Sequence, residues 1–435
     1  MKKNKDFLNP AGFPFFYGYF IALIGTIGVW ASIPGQTVGV STFTDPVKDA
    51  LGLSRNQISA AYMLGTLASS FFISAAGRWF DRFGARWVAG LSALVLSFSL
   101  ITAAWSADIS NSVQSFLGVY HWTIPFTIMV LLFFLFRYSG QGVLTMSSRN
   151  MIMKWFERFR GRVNAFSALS VSLGFSIAPV IIDQLIHAHG WAGAWRIMGL
   201  ALFAMTILVF LFYRDNPEQY GLKPDGCPPK TDCKALESKD IRSFEPHEAF
   251  GTRAFWMYSL MLAFNSFFVT GFTFHVVSIF ESSGFARSQA ISVFIPISLV
   301  SVTFSLVFNF ISDWIKLKGI LYIMILGGFL GSIGLTSLSS SWGIYLIIAG
   351  AGIMGGLFSV LNAIAWPRLY GRKFIGTISG KAMSMIVLAS ALAPFLFSQS
   401  FSMFKSYAGV AWLALGFMVF LAIAALKANN PRLPQ

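Results

Sequence analysis

Apolar runs of roughly 20 residues recur along the chain, separated by short polar or basic connections. A helix rises about 1.5 Å per residue, so such a run crosses a hydrocarbon core of about 30 Å. The pattern predicts twelve membrane-spanning helices. They cover 13–40, 54–76, 84–106, 123–150, 161–186, 192–213, 253–281, 287–312, 317–338, 341–366, 372–398 and 404–427. The short alternating segments of a membrane β-barrel are not seen. The predicted fold is therefore an all-α membrane protein.

One long polar stretch interrupts the pattern. Residues 214–252 are rich in acidic residues, lysines and prolines, which is the composition of a linker. The predicted organisation is a six-helix bundle over 1–213, a linker over 214–252 and a second six-helix bundle over 253–435. The two bundles look like weak copies of each other. Asp81 lies in the loop after the second span and Asp313 in the loop after the eighth, each followed five positions later by a basic residue, Arg86 or Lys318. Gly161 and Pro179 bracket the fifth span, and Gly376 and Pro394 bracket the eleventh at the same separation. Two parallel six-helix repeats are a transporter architecture, with the solute site near the bilayer midplane.

Composition sharpens the class. Of 435 residues, 55% are hydrophobic and 11% are charged, with mean hydropathy +0.66. A soluble domain carries about 25% charged residues. The net charge of +15 reflects topology rather than nucleic-acid binding: 25 of the 32 Lys and Arg fall on one side of the predicted spans and five on the other. The positive-inside rule puts that side, with both termini, in the cytoplasm. Lys2, Lys3 and Lys5 precede an apolar run too long for a signal peptide, so the first helix reads as retained. Cys227 and Cys233 sit in the linker and read as free thiols.

The loop Gly77-Arg78-Trp79-Phe80-Asp81-Arg82-Phe83-Gly84-Ala85-Arg86 matches the G-x-x-x-D-R-x-G-x-R pattern of the major facilitator superfamily, and the chain resembles that family over nearly its whole length. Arg137 to Gly142 resembles the family's fourth-span R-x-x-x-Q-G signature, and Gly174 to Pro179 a degenerate fifth-span motif. The resemblance implies the two-bundle fold of that family, with the Asp81, Arg82 and Arg86 loop latching cytoplasmic helix ends in one state of the cycle. Gly77, Gly84 and Asp313 join those three as gating candidates. Pro34-Gly35-Gln36-Thr37, Asn216-Pro217-Glu218, Tyr220-Gly221-Leu222 and Tyr370-Gly371-Arg372 resemble bacterial members of the monocarboxylate and oxalate–formate transporter group. That likeness implies a small organic anion as solute, moved with a proton or by exchange. Two departures stand beside it. Only Gln36 lies near the first-span position where some members carry lysine, and the eighth span has no Arg or Lys beyond Arg287. Export of drugs or neutral solutes is the alternative.

The residues themselves supply candidates. Arg137 lies mid-span, where a charge costs at least about 2.5 kcal/mol. It should face a partner or a watery cavity, and a guanidinium can grip a carboxylate with two hydrogen bonds. Gln141 is one turn away on the same face. Lys381 can snorkel to the interface or contact an anion. His275 can relay a proton or serve as a neutral hydrogen-bonding residue. Gln36, Thr37, Asn265 and Asn362 can hydrogen-bond a solute or join helices. No Asp or Glu occupies the middle of a span. No phosphate-binding loop, filter repeat or metal-ligand cluster is present, so ATP drive, a channel, an enzyme, a metal and a cofactor are not expected. A single chain is expected to suffice in the bilayer, without nucleic-acid partners. The topology is directly testable: reporter fusions should place residue 1, residue 435 and the 214–252 loop in the cytoplasm, and an external terminus would overturn the assignment.

Overall fold

The computed structural model describes residues 9–226, 243–338 and 340–431. Lys2, Lys3, Lys5, Cys227 and Cys233 lie outside the described residues. Among the described residues there is no strand. Ten helical stretches among these residues are long and apolar enough to cross a bilayer. Two are twice the needed length: Arg55–Ala103 has 49 residues and Arg160–Phe212 has 53. Each contains one glycine outside helical geometry, Gly84 at φ 80° and Gly190 at φ 69°. A side chain at such a φ is strained, and glycine is not. Dividing these two at their glycines turns ten stretches into twelve spans. Gly84 thereby earns its place in the Gly77–Arg86 motif: it reverses the chain between the second and third spans.

The first span is not the continuous helix expected over 13–40. It runs Tyr17–Ala31, tightens into a single turn at Ile33–Gly35, and resumes at Thr37–Ser41. Pro34 is the cause, because it lacks an N–H and its ring clashes with the preceding turn. The fourth span, Thr123–Trp155, runs beyond its expected end at residue 150. A further helix, Ser106–Leu117, precedes it.

By internal contact the chain divides into two compact units. The first is Met1–Glu157 with Ser170–Glu237; the second is Arg158–Leu169 with Ser238–Gln435. The start of the fifth span thus groups with the second unit, while the rest of it belongs to the first.

The first unit is closed by residues at and just after the end of the sixth span. Phe212 O accepts the Tyr17 hydroxyl at 3.0 Å, Tyr213 Oη shares a proton with Ser148 Oγ at 2.8 Å, and Arg214 O accepts Trp155 Nε1 at 3.0 Å. Asp215 pairs with Lys154 at 2.9 Å and also accepts the Ala85 backbone N–H at 3.1 Å, capping the third span. Lys154 is buried and lies 4.6 Å over the Phe80 ring. In the second unit a polar cluster joins the fifth, eighth and tenth spans. Asn164 Nδ2 donates to Asn309 Oδ1 at 2.7 Å and to Ser359 O at 3.2 Å, and Ser305 Oγ meets Ser359 Oγ at 2.8 Å. The glycine-rich tenth span packs by close approach, since a Cβ on Gly350 would sit 2.2 Å from Gly331 N.

Removing one member of a buried ion pair costs about 3–5 kcal/mol. Lys154→Met should therefore lower the thermal unfolding midpoint of the purified protein by several degrees, and Lys154→Met with Asp215→Asn should recover part of the loss. An unchanged midpoint in the single variant would show that the pair does not brace the unit.

Candidate functional site

The candidate site lies where the broken first span crosses the fourth. Their backbones touch there: a Cβ on Gly35 would fall 2.3 Å from Phe136 O and 2.8 Å from Gly140 Cα. In this region the fourth span loosens from α-helix into a π-helix over Arg137–Leu144. Hydroxyls support the widened turns. Ser92 Oγ donates to Ser139 O at 2.6 Å, and Thr145 Oγ1 donates to Gly140 O at 3.1 Å. π-Helical turns are rare and concentrate at functional positions.

Arg137 opens this stretch and is 1% exposed. Its Nη1 donates to Gly35 O at 3.3 Å and to Thr37 Oγ1 at 3.2 Å. Its Cζ stands 5.2 Å from the Tyr62 ring, a cation–π contact, and the Tyr62 hydroxyl meets Thr37 Oγ1 at 2.8 Å. Nε and Nη2 are buried and have no hydrogen-bond partner. No salt bridge to Arg137 occurs among the described residues. Gln141 is half-buried in the same stretch, and its Oε1 is also buried without a partner. Gln36, by contrast, is already engaged: Nε2 donates to Ser32 Oγ at 3.1 Å and Thr145 Oγ1 at 3.0 Å. The structure thus brings Arg137, Gln141 and Gln36 into one region of the first unit. Thr37, a polar candidate of the first span, joins them, and the structure adds Tyr62, which sequence reasoning passed over because a tyrosine is not unusual in a span. Arg149 was also missed. It stands at the very end of the predicted span 123–150, yet it lies inside the continuous helix Thr145–Trp155, half-buried and with no hydrogen bond to a described residue.

The remaining solute candidates belong to the second unit. His275 Nε2 lies 3.0 Å from Pro394 O, and because a carbonyl only accepts, that nitrogen carries a proton. Its ring stacks on Phe397 at 6.2 Å, and Nδ1 is 3.5 Å from the Tyr407 hydroxyl, which donates to Ser278 Oγ at 2.9 Å. His275 thus ties the seventh, eleventh and twelfth spans together. Asn265 is buried, with an unpartnered Oδ1. Asn362 and Lys381 are half-buried and make no hydrogen bond to a described residue.

The gating candidates fall at span ends. Gly77 is buried, Asp81 is half-buried, and Arg82 and Arg86 are exposed. Asp313 Oδ1 accepts the Gly161 N–H at 2.9 Å, at the start of the fifth span, where a carboxylate also suits the helix dipole. Asp313 Oδ2 is buried without a partner. Burial pushes this carboxyl above the usual carboxylate range, against the opposing pull of the Gly161 N–H and the Arg368 and Arg162 guanidiniums. Gly161 is required here, since its Cβ would lie 2.2 Å from Asn309 O.

Comparison with known proteins bears on the whole chain. The family model described as Major Facilitator Superfamily matches residues 15–394. The oxalate:formate antiporter of Oxalobacter formigenes is 24% identical over 206 residues, 46% of this chain and 44% of that protein. The L-fucose-proton symporter of Haemophilus influenzae is 25% identical over 119 residues, 27% of each chain. A probable sulfoacetate transporter of Cupriavidus necator is 18% identical over 202 residues, 46% of this chain and 40% of that protein. Each alignment thus spans less than half of the relative. Among solved structures, a proton:xylose symporter superposes with TM-score 0.69 at 16% identity, covering 96% of this chain and 98% of that one. The human organic anion transporter MFSD10 superposes with TM-score 0.60 at 14% identity, covering 95% and 99%. These superpositions show the fold.

The crossing of the first and fourth spans can be probed without knowing the solute. Overpacking a tight contact costs about 1–3 kcal/mol. Gly35→Ala should lower the unfolding midpoint, while Gly52→Ala, whose Cβ would meet nothing within 4 Å, should perturb it less despite its positive φ. Equal midpoints for Gly35→Ala and the parent protein would refute the close packing.

Proposed function

We propose, on the premise that the chain belongs to the Major Facilitator Superfamily, that it is a secondary transporter whose solute is a small organic anion, moved by alternating access. The observation that carries the anion is Arg137. A guanidinium stays protonated in proteins, and here it is buried with two nitrogens, Nε and Nη2, unmatched and no salt-bridge partner among the described residues. A carboxylate supplies what is missing: two acceptor oxygens in one plane and a negative charge. Gln141, with its free acceptor, suits a protonated oxygen or hydroxyl elsewhere on the same solute. Relatives named for oxalate, formate and sulfoacetate, and a fold neighbour named for organic anions, support this reading.

The same premise assigns the other parts. Proton symport and anion exchange are the two coupling modes. With no carboxylate at mid-span, His275 is the titratable group left for the first mode. Asp81, Arg82 and Arg86, with Asp313 as their counterpart, form cytoplasmic latches. The protein sits in a bacterial inner membrane with both termini inside, as the basic residues imply. A second reading, transport of a neutral or drug-like solute, draws on the fold likeness to the xylose symporter and on the eighth span without an internal cation.

Arg137 separates the two readings. Losing two charge-assisted hydrogen bonds costs about 3 kcal/mol or more, at least about a hundredfold in affinity. Calorimetry against a panel of mono- and dicarboxylates should find a ligand for the parent protein. Arg137→Gln should abolish its binding, and Arg137→Lys should keep a small fraction, with monodisperse elution as the folding control. Undiminished binding by a folded Arg137→Gln protein would make Arg137 structural and favour the neutral-solute reading.

A further inference from the structure

The far side of the same π-helix borders a second feature. A groove of about 370 Å³ runs along the second, third and fourth spans of the first unit, lined by Trp79, Phe83, Trp87, Leu91, Val95 and Tyr138 among others. Its walls are almost wholly apolar. Trp79, Phe83, Trp87 and Leu91 are each about half exposed, so the groove opens outward rather than into the helical core. From Trp87 to Val95 the third span rises about 12 Å. At one end lie Arg78, Arg82 and Arg86, all on the strongly basic side of the chain. The Arg82 guanidinium stands 5.2 Å over the ring of Phe83, which is itself part of the groove wall. At the other end Tyr138 and Ser139 belong to the π-helix that begins with Arg137. The tyrosine ring is stacked on Phe134 at 5.9 Å, and its hydroxyl makes no hydrogen bond to a described residue.

These observations define an occupant with two chemically distinct ends. The apolar channel suits a hydrocarbon chain, which gains by leaving neither water nor voids beside the aromatic walls. The arginines at the mouth suit an anionic head group at the level where tryptophans and basic residues meet the lipid interface. The second apolar cavity of the unit, about 570 Å³ between the first and fifth spans, has no basic residue in its lining. We propose that the groove between the second, third and fourth spans is a binding site for an anionic phospholipid. One acyl chain lies along the third span from Trp87 to Val95, and the head group lies beside Arg82. The chain would pack against Tyr138, so the occupant would steady the π-helical turns that present Arg137. The lipid site itself stands independently of any solute assignment.

Native mass spectrometry can test this on the full-length protein, exchanged into mixed micelles with equal phosphatidylglycerol and phosphatidylcholine of identical chains. One arginine beside an anionic head group is worth about fivefold in affinity. The parent protein should retain phosphatidylglycerol about fivefold or more over phosphatidylcholine. Arg82→Gln should bring the two lipids close to parity. Leu91→Trp, which fills the groove from a half-exposed position, should remove the bound lipid of both kinds. Val95→Phe, deeper in the same groove, should do the same and serves if Leu91→Trp does not fold. Equal retention of the two lipids by the parent protein would overturn the proposal. So would retention that survives both groove-filling variants.

Discussion

A permanent positive charge buried at the middle of a membrane span governs the rest of the first unit. Arg137 cannot shed its proton to escape the cost of burial, and no carboxylate pairs with it among the described residues. The surroundings compensate only in part. A backbone carbonyl, a threonine hydroxyl and a tyrosine ring face one edge of the guanidinium. Reaching that carbonyl requires the first span to break at Pro34 and to touch the fourth at Gly35 and Gly140, where no side chain larger than hydrogen fits. The proline, the two glycines and the arginine are therefore one device: each is needed for the others to make sense.

The π-helix belongs to the same site. Its turns over residues 137–144 carry side-chain bonds on top of those of the backbone: Ser139 O and Gly140 O accept hydroxyls from Ser92 and Thr145, and Gly140 O also accepts the Thr145 backbone N–H. Those hydroxyls come from the third span and from the fourth itself, so the irregular stretch is braced from two sides. It is thereby stable without being regular, which is what a site needs if its polar groups are to stay unpaired for a solute. The unsatisfied Nε, Nη2 and Gln141 Oε1 are then a cost held in place by packing elsewhere, including the stacked and edge-on aromatic rings around Trp195 and Phe136.

The legibility of the molecule in its sequence divides along physical lines. The spans were readable because hydropathy acts over 20 residues and averages out local irregularity. The turns at Gly84 and Gly190 were half-readable: Gly84 sat in a recognisable loop motif, while nothing marked Gly190 except its position between two apolar runs. The break at Ile33–Gly35 was missed as a break although Pro34 was in view, because an apolar run hides a kink. Arg137 was visible through its cost. Thr37 was in view only as one polar residue among several and Tyr62 was not, because a hydroxyl in a span is cheap and common, and only geometry shows that both meet a guanidinium. Lys154 and Asp215 were counted as a topological charge and a linker acid. Sequence distance concealed a buried pair that spans 61 residues. His275 remained open between proton relay and structural tie. Its bond to Pro394 O and its stacking on Phe397 now show a tie in place, while its Nδ1 stays near a hydroxyl that can exchange protons.

The kind of polar group left unmatched bears on the proposed transport cycle. In the second unit Asn164, Asn309, Ser305 and Ser359 form a closed set, while Asn265 Oδ1 and Asp313 Oδ2 stay unpartnered. In the first unit the group left short of partners is a buried cation. An empty Arg137 site carries an uncompensated charge, whereas an anion bound to it forms a neutral pair. Low surrounding polarity strengthens that pair and penalises the empty state in the same measure. If the solute is an anion, its departure is therefore the costly step, and arrival of a second anion, or of a solute with its proton, relieves the cost. A neutral solute would leave the charge where it was and gain nothing from it. The energetic logic of Arg137 thus favours a solute that brings its own negative charge.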